Sequence, residues 1–244
     1  MYVSVRNLQE NRGVDPEIAR FFVDRKVPPG NLFWKNRLLY VNRGNGYLSI
    51  PIYYDLLFRI GLPKSKLLEE SQICLMEGIM HEAIRAEYGE IGFKEQIDRI
   101  QDLLQGKILN PVFYGELTDY LAQPVLGPRH RLGLAVPALN RADSFLFILC
   151  NLPMTEEQTT KAIRYWYALH GSFLLMDDIA DYGQDKKNKE ENALIELGDG
   201  AIGSARAFDL LREQMNVLRE INLVLAEFLE RGFEELQALM TKLT

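Results

Sequence analysis

Between Phe173 and Asp185 the chain reads F-L-L-M-D-D-I-A-D-Y-G-Q-D, so that Asp177, Asp178 and Asp181 form a D-D-x-x-D pattern at the end of an apolar run. On a helix, positions four apart share a face, which puts Asp177 and Asp181 side by side; Asp178 points about 100° away. Carboxylates this close repel one another, and the arrangement costs stability unless cations enter it. Mg²⁺ suits hard oxygen ligands and typically takes one or two carboxylates together with substrate phosphate oxygens. The chemistry expected of the pattern is therefore a metal clamp for a phosphorylated ligand, with Asp177, Asp178 and Asp181 as ligands.

By itself the pattern is weak evidence, because chance alone places it in roughly one chain of this length in twenty-five. An acidic helix end facing solvent would look the same. The surroundings carry more weight. Trp166 to Met176 (W-Y-A-L-H-G-S-F-L-L-M) is nearly all apolar, as in a buried helix, and Lys186, Lys187 and Lys189 follow the acids where a diphosphate would need cations.

Gly171, Phe173, Asp177, Asp178, Asp181 and Asp185 stand in the order and spacing of the second aspartate-rich motif of the trans-prenyl diphosphate synthases. The chain thus resembles the class I isoprenoid (terpenoid) synthases. Leu174 replaces the Gln usual in that family, and Lys189 is its downstream Lys offset by about two positions. Arg129-His130-Arg131-Leu132-Gly133 is similar to the family's basic segment, with Arg131 in place of Lys and Leu132 in place of Thr. Arg141 competes for the same role, and an ordinary basic loop after Pro128 is the alternative. The match covers residues 129–244. In the first half no D-D-x-x-D and no paired arginines occur; the positional candidate, Glu77, His81, Glu82 and Glu87, also carries Arg85 and departs from the family pattern.

The resemblance implies an all-α, isoprenoid-synthase-like helical bundle forming a single domain over 1–244. It implies Mg²⁺ at Asp177, Asp181 and Asp178, and an isoprenyl diphosphate gripped by Arg131 or Arg141 with Lys186 and Lys189. Ionisation to an allylic cation would lead to prenyl transfer or cyclisation. It further implies a homodimer. The missing first motif leaves a second expectation open: a non-catalytic subunit or regulator paired with an active synthase.

The elements that must position these groups follow from periodicity and punctuation. Asp15-Pro16-Glu17 starts a helix reaching about residue 26. Residues 31–51 read as an irregular or hairpin-like entry turning at 42–46. Helices are expected at 53–60, 64–88, 93–106 and 110–122. A nearly continuous apolar helix is expected over 134–151, kinked or started at Pro137. Thr155 and Gln158 form a capping box opening the helix that carries the aspartates, 155–183. A long amphipathic helix spans 203–242. Phe145, Phe147, Tyr165, Trp166 and Phe173 can line an apolar pocket, or simply pack the core. His170 reads either as a satisfied core histidine or as a base.

Composition sets the outer bounds. The 244 residues are 47% hydrophobic and 25% charged, an ordinary globular balance. A net charge of −6, without a basic stripe, argues against nonspecific nucleic-acid binding. No apolar run approaches the ~20 residues of a membrane span and no signal peptide is read, so the expected location is the cytoplasm. Cys74 and Cys150 are expected as free, buried thiols.

Overall fold

A computed structural model describes residues 3–26, 40 and 47–243, with side chains to residue 238. Among these the regular structure is entirely helical, and β-pairing amounts to one isolated bridge between Arg129 and Leu132. The hairpin-like entry expected over 31–51 lies outside the described residues at 31–39 and 41–46, its turn included, and its last three residues, 49–51, are helical and not irregular.

The N-terminal part comprises α1 (Val5–Arg12), α2 (Pro16–Asp24), α3 (Ser49–Arg59) and the single turn α4 (Lys64–Leu67). Asp15 caps α2 as expected, its carboxylate accepting from the backbone N–H groups of Glu17 and Ile18. Then come α5 (Glu70–Glu87), α6 (Phe93–Leu104) and α7 (Pro111–Leu121). Leu68 and Glu69 divide the helix expected over 64–88, because Glu69 adopts extended backbone.

Two expectations about helices are corrected. Residues 134–151 are not one α-helix but two 3₁₀ segments, Pro137–Asn140 and Asp143–Asn151, meeting at Arg141 and Ala142. Such a tight winding suits a stretch with apolar side chains on every side: Phe145 through Cys150 are all buried, and no polar stripe selects one helical face. The second is the C-terminal pattern, which divides into α10 (Gly200–Arg219) and α11 (Leu223–Leu243). Asn222 makes the corner: its side-chain oxygen accepts from Leu225 N–H (3.1 Å) and its amide donates to the Arg12 carbonyl (2.9 Å), tying the corner to α1.

Between these parts lies α8 (Glu156–Asn188), followed by the short α9 (Ala193–Glu196). The expected capping box is present: Thr155 accepts from Gln158 N–H (3.2 Å) while the Gln158 side chain accepts from Thr155 N–H (3.0 Å). Thirty-three residues make α8 roughly 50 Å long. Its first half packs on α3 and its second on α9, α10 and the 137–140 segment. Ala162, Ile163, Trp166, Leu169, Leu175 and Ile179 bury its inner face in one contiguous apolar cluster. Full burial contributes about 1.5–3 kcal/mol for each large side chain, so α8 is anchored along its length while its C-terminal turns project the aspartates. No helix among the described residues is long and apolar enough to cross a membrane.

Candidate functional site at the end of α8

Helical geometry splits the aspartate motif. Asp178 turns inward and is only 3% exposed, whereas Asp177 and Asp181 lie on the exposed side. The buried carboxylate is fully engaged. Arg141 Nη2 donates to its Oδ1 (2.8 Å) and Arg141 Nη1 approaches Oδ2 (3.3 Å), forming a two-pronged ion pair. Oδ2 also accepts from the backbone N–H of Ala193 (2.8 Å), so Asp178 docks α9 onto α8. Asn192 reinforces this contact, its amide donating to the Asp178 carbonyl (2.7 Å) and to Asp185 Oδ2 (2.8 Å). The 3₁₀ corner places Arg141 here: its Nη1 donates to the Ala138 carbonyl (2.9 Å), which bends the guanidinium back toward α8.

Asp177 has no such compensation. Partial burial and then the charge of Asp181 raise its pKa, with Asp178 and Asp185 adding to the rise and Arg141 opposing it. Glu191 is likewise raised, first by burial, while Arg141 again opposes. Among the described residues no three acidic, His or Cys side chains converge as a metal-holding group. Mg²⁺ needs only one or two protein carboxylates, however. The exposed Asp177 and Asp181, crowded and anionic, fit that role; Asp178, with both oxygens occupied, does not.

Seven residues before Asp177, and on the same stripe of α8, stands His170. Its ring stacks on Trp166 (centroids 4.4 Å, 12° between planes), and Trp166 stacks on Phe145 (5.3 Å, 19°). Both imidazole nitrogens are shielded from solvent, and neither has a hydrogen-bond partner among the described residues. Burial, followed by the charge of Arg141, lowers its pKa to about 3, so the ring is neutral. Beneath the stack, Asp143 is 1% exposed and gathers three donors: Tyr120 Oη (2.6 Å), Tyr167 Oη (2.8 Å) and Trp166 Nε1 (2.9 Å). Burial raises this carboxyl to about 6, against the pull of those three hydrogen bonds.

The remaining sequence candidates are dispersed. Arg131 is paired with Glu116 (2.9 Å) and Glu156 (2.5 Å), and its Nη1 donates to Thr160 Oγ1 (2.8 Å). Thr160 and Asp177 are separated by roughly 25 Å along the α8 axis at the standard rise, so Arg131 is a brace for the helix start and not a diphosphate ligand beside the aspartates. Its loop is structural in its own right. Arg129 and Leu132 exchange backbone hydrogen bonds, and Gly133 N–H donates to Tyr167 Oη (2.6 Å). A Cβ on Gly133 (φ +82°) would meet the Gly127 carbonyl oxygen at 2.6 Å.

Lys186 is held by Asp199 (2.6 Å), which raises its pKa, and Lys189 ends α8 in left-handed conformation, exposed. Phe173 is half-buried at the rim of the core. Phe147 is fully buried against Tyr114, and Tyr165 is buried beneath Arg164, so of the five expected pocket aromatics only Phe145 and Trp166 join the His170 stack. On α5, Glu77 is buried and bound by Arg25 (2.9 Å) and Tyr40 Oη (2.8 Å), while Glu82 pairs with Arg85 (3.0 Å). Neither carboxylate is held ready for a metal. Cys150 is buried as expected, but Cys74 is exposed, its thiol donating to Glu70 (3.3 Å).

Sequence reading missed Asp143, Asn192 and Glu191. A single Asp inside the apolar run 142–150 was the available signal for a buried, multiply bonded carboxylate; nothing in the sequence marked Asn192. A surface depression of about 700 Å³, bordered by Arg20, Phe21, Arg25, Lys26 and Leu68, contains none of the sequence candidates. No family model, curated protein or solved structure matches the chain.

Proposed function

We propose that this chain is a class I isoprenoid-type enzyme that binds an allylic isoprenyl diphosphate at the C-terminal end of α8 and ionises it. The observation that carries the reading is the pairing of Asp177 and Asp181 on one exposed face of α8, next to the guanidinium of Arg141 and on the same stripe as the His170–Trp166–Phe145 stack. Asp177 and Asp181 would hold Mg²⁺, whose charge would neutralise that of a departing diphosphate. Arg141 contributes fixed positive charge and holds Asp178, which positions it. Aromatic rings favour a cation in the apolar part of the site. The proposed setting is a homodimer in the cytoplasm, in keeping with the resemblance.

A second reading, a non-catalytic relative acting with an active synthase, is favoured by two observations: Asp178 is fully bonded, and Glu77 and Glu82 are tied to arginines. One assay separates them. Mg²⁺-dependent pyrophosphate release is measured with geranyl, farnesyl and geranylgeranyl diphosphate, on the parent and on Asp177→Ala. Release by the parent that drops at least tenfold in the variant supports the enzyme. Absence of release from all three defeats it, and Mg²⁺-dependent calorimetric binding of pyrophosphate without release then favours the relative.

A further inference from the structure

We infer that the outer face of α7 is an interface on which a second copy of this chain docks, the two α7 helices packing antiparallel about a two-fold axis beside Gly115. The inference goes beyond the proposed function and does not rest on it.

The starting point is a helix that is apolar on both sides. Phe113, Leu117, Tyr120 and Leu121 are buried in the core. Pro111, Val112, Gly115, Asp119 and Ala122 share the opposite face at helical spacing and are all exposed, with Asp119 the one charge among them. Val112 is 66% exposed, and the chain adds Leu109 (58%) just before the helix and Val125 (65%) just after it. The neighbouring α6 shows the ordinary alternative: Lys94 with Asp98, and Arg99 with Glu95, fill its solvent side in ion pairs of 2.7 Å. A helix hydrophobic all round belongs in an interior, so the single chain leaves α7 without its outer cover.

Gly115 tells how close that cover comes. Glycine inside a helix costs stability relative to alanine. Nothing in this chain requires it, because a Cβ there would meet no atom within 4 Å. What the missing side chain permits is the close approach of a second backbone from outside, toward the short end of the roughly 8–10 Å spacing of packed helices.

The charges identify the visitor as another copy. Asp119 is paired only loosely, with Arg129 at 3.8 Å, and a carboxylate taken out of water needs a closer cation. Lys107, near the opposite end of the face, is exposed and has no ion-pair partner among the described residues. Antiparallel pairing about Gly115 carries Lys107 of each copy toward Asp119 of the other, twice by symmetry, and sets the two helix dipoles in favourable opposition. The face offers on the order of 400–500 Å² per copy, at the low end for a specific pair, so the dimer is weak and reversible. Arg131 joins Glu116 of α7 to Glu156 at the start of α8, which places the interface at the end of α8 remote from Asp177 and Asp181.

Sedimentation equilibrium of the full chain, without Mg²⁺ or substrate, over about 1–300 µM is expected to show reversible monomer–dimer association. Gly115→Arg fills space that is open in the single chain and removes a helix glycine, so its Tm is expected to hold or rise while dimerisation weakens by about tenfold or more. Lys107→Glu and Asp119→Lys each bring like charges together in their own homodimers and are expected to weaken association by about fivefold or more; an equimolar mixture of the two joins opposite charges at both contacts and is expected to restore the parent's affinity to within about threefold. A parent that stays monomeric across the range, a dimer that Gly115→Arg leaves intact, or a mixture no tighter than its components overturns the inference. Self-association is read without catalysis, so an absence of pyrophosphate release defeats the proposed function and leaves this result standing.

Discussion

The carboxyl group of Asp143 lies enclosed beneath the aromatic stack, and its proton is expected to leave a measurable trace in stability. Burial raises its pKa from the ordinary 3.8 to about 6 in the folded protein. The native state therefore holds the proton more tightly than the unfolded chain. The resulting stabilisation is complete below about pH 4 and is lost as the pH rises to about 6. Its size is the shift of roughly 2 units at 1.36 kcal/mol each, about 3 kcal/mol. Asp143→Asn keeps the shape and an acceptor for Trp166 Nε1, its amide can donate to the two tyrosine hydroxyls, and it removes the titration. Urea unfolding of parent and variant at pH 4, 5, 6 and 7, followed by far-ultraviolet circular dichroism and tryptophan fluorescence, isolates this one group, because contributions from other carboxylates cancel in the difference. The variant is expected to gain on the parent by about 3 kcal/mol between pH 4 and pH 7, or roughly 6–12 °C in Tm for a chain of this size. A difference that stays flat across that range refutes the reasoning and makes Asp143 a carboxylate that its three donors keep ionised.

Other perturbations separate the members of the aspartate motif. Asp178→Ala removes the partner of Arg141 and the acceptor for Ala193 N–H, and should cost about 2–4 kcal/mol by chemical denaturation; Asp181→Ala relieves repulsion on an exposed face and should change stability by no more than ~0.5 kcal/mol. Arg131→Gln should lower stability by about 1–2 kcal/mol through loss of its pairs with Glu116 and Glu156, while Mg²⁺-dependent pyrophosphate affinity, read by calorimetry, stays the same. Gly133→Ala places a methyl group against the Gly127 carbonyl at a left-handed backbone position and should destabilise by more than about 1 kcal/mol, visible as a lowered Tm.

The helices were legible where one local rule acted alone. Asp15 with Pro16 announced α2, and Thr155 with Gln158 announced α8, because a cap is decided by three or four neighbouring residues. The 137–151 segment was not legible. Apolar side chains on all sides carry no period, so α and 3₁₀ winding look alike until tertiary packing chooses. The corner at Asn222 escaped for a related reason: its cause is a bond to Arg12, far away in the chain. At the site, the spacing of the aspartates correctly gave two faces, with Asp178 turned away from Asp177 and Asp181. What spacing could not convey is that Asp178 meets Arg141 and the start of α9, since both arrive through loops. Arg131 misled because a basic loop that precedes an acidic helix in sequence can brace either end of it, and α8 is long enough to keep those ends far apart.

The contact between Asn222 and the Arg12 carbonyl spans 210 positions of sequence, and α11 covers α1 beside it. During synthesis at about 5–20 residues per second, α1 leaves the ribosome roughly 10–40 s before its docking surface exists. An early-made amphipathic piece must wait, unshielded, for one made much later. The nascent chain is therefore the form of this protein with most to gain from a chaperone, and a release of translation before α11 emerges would leave α1 with nowhere to settle.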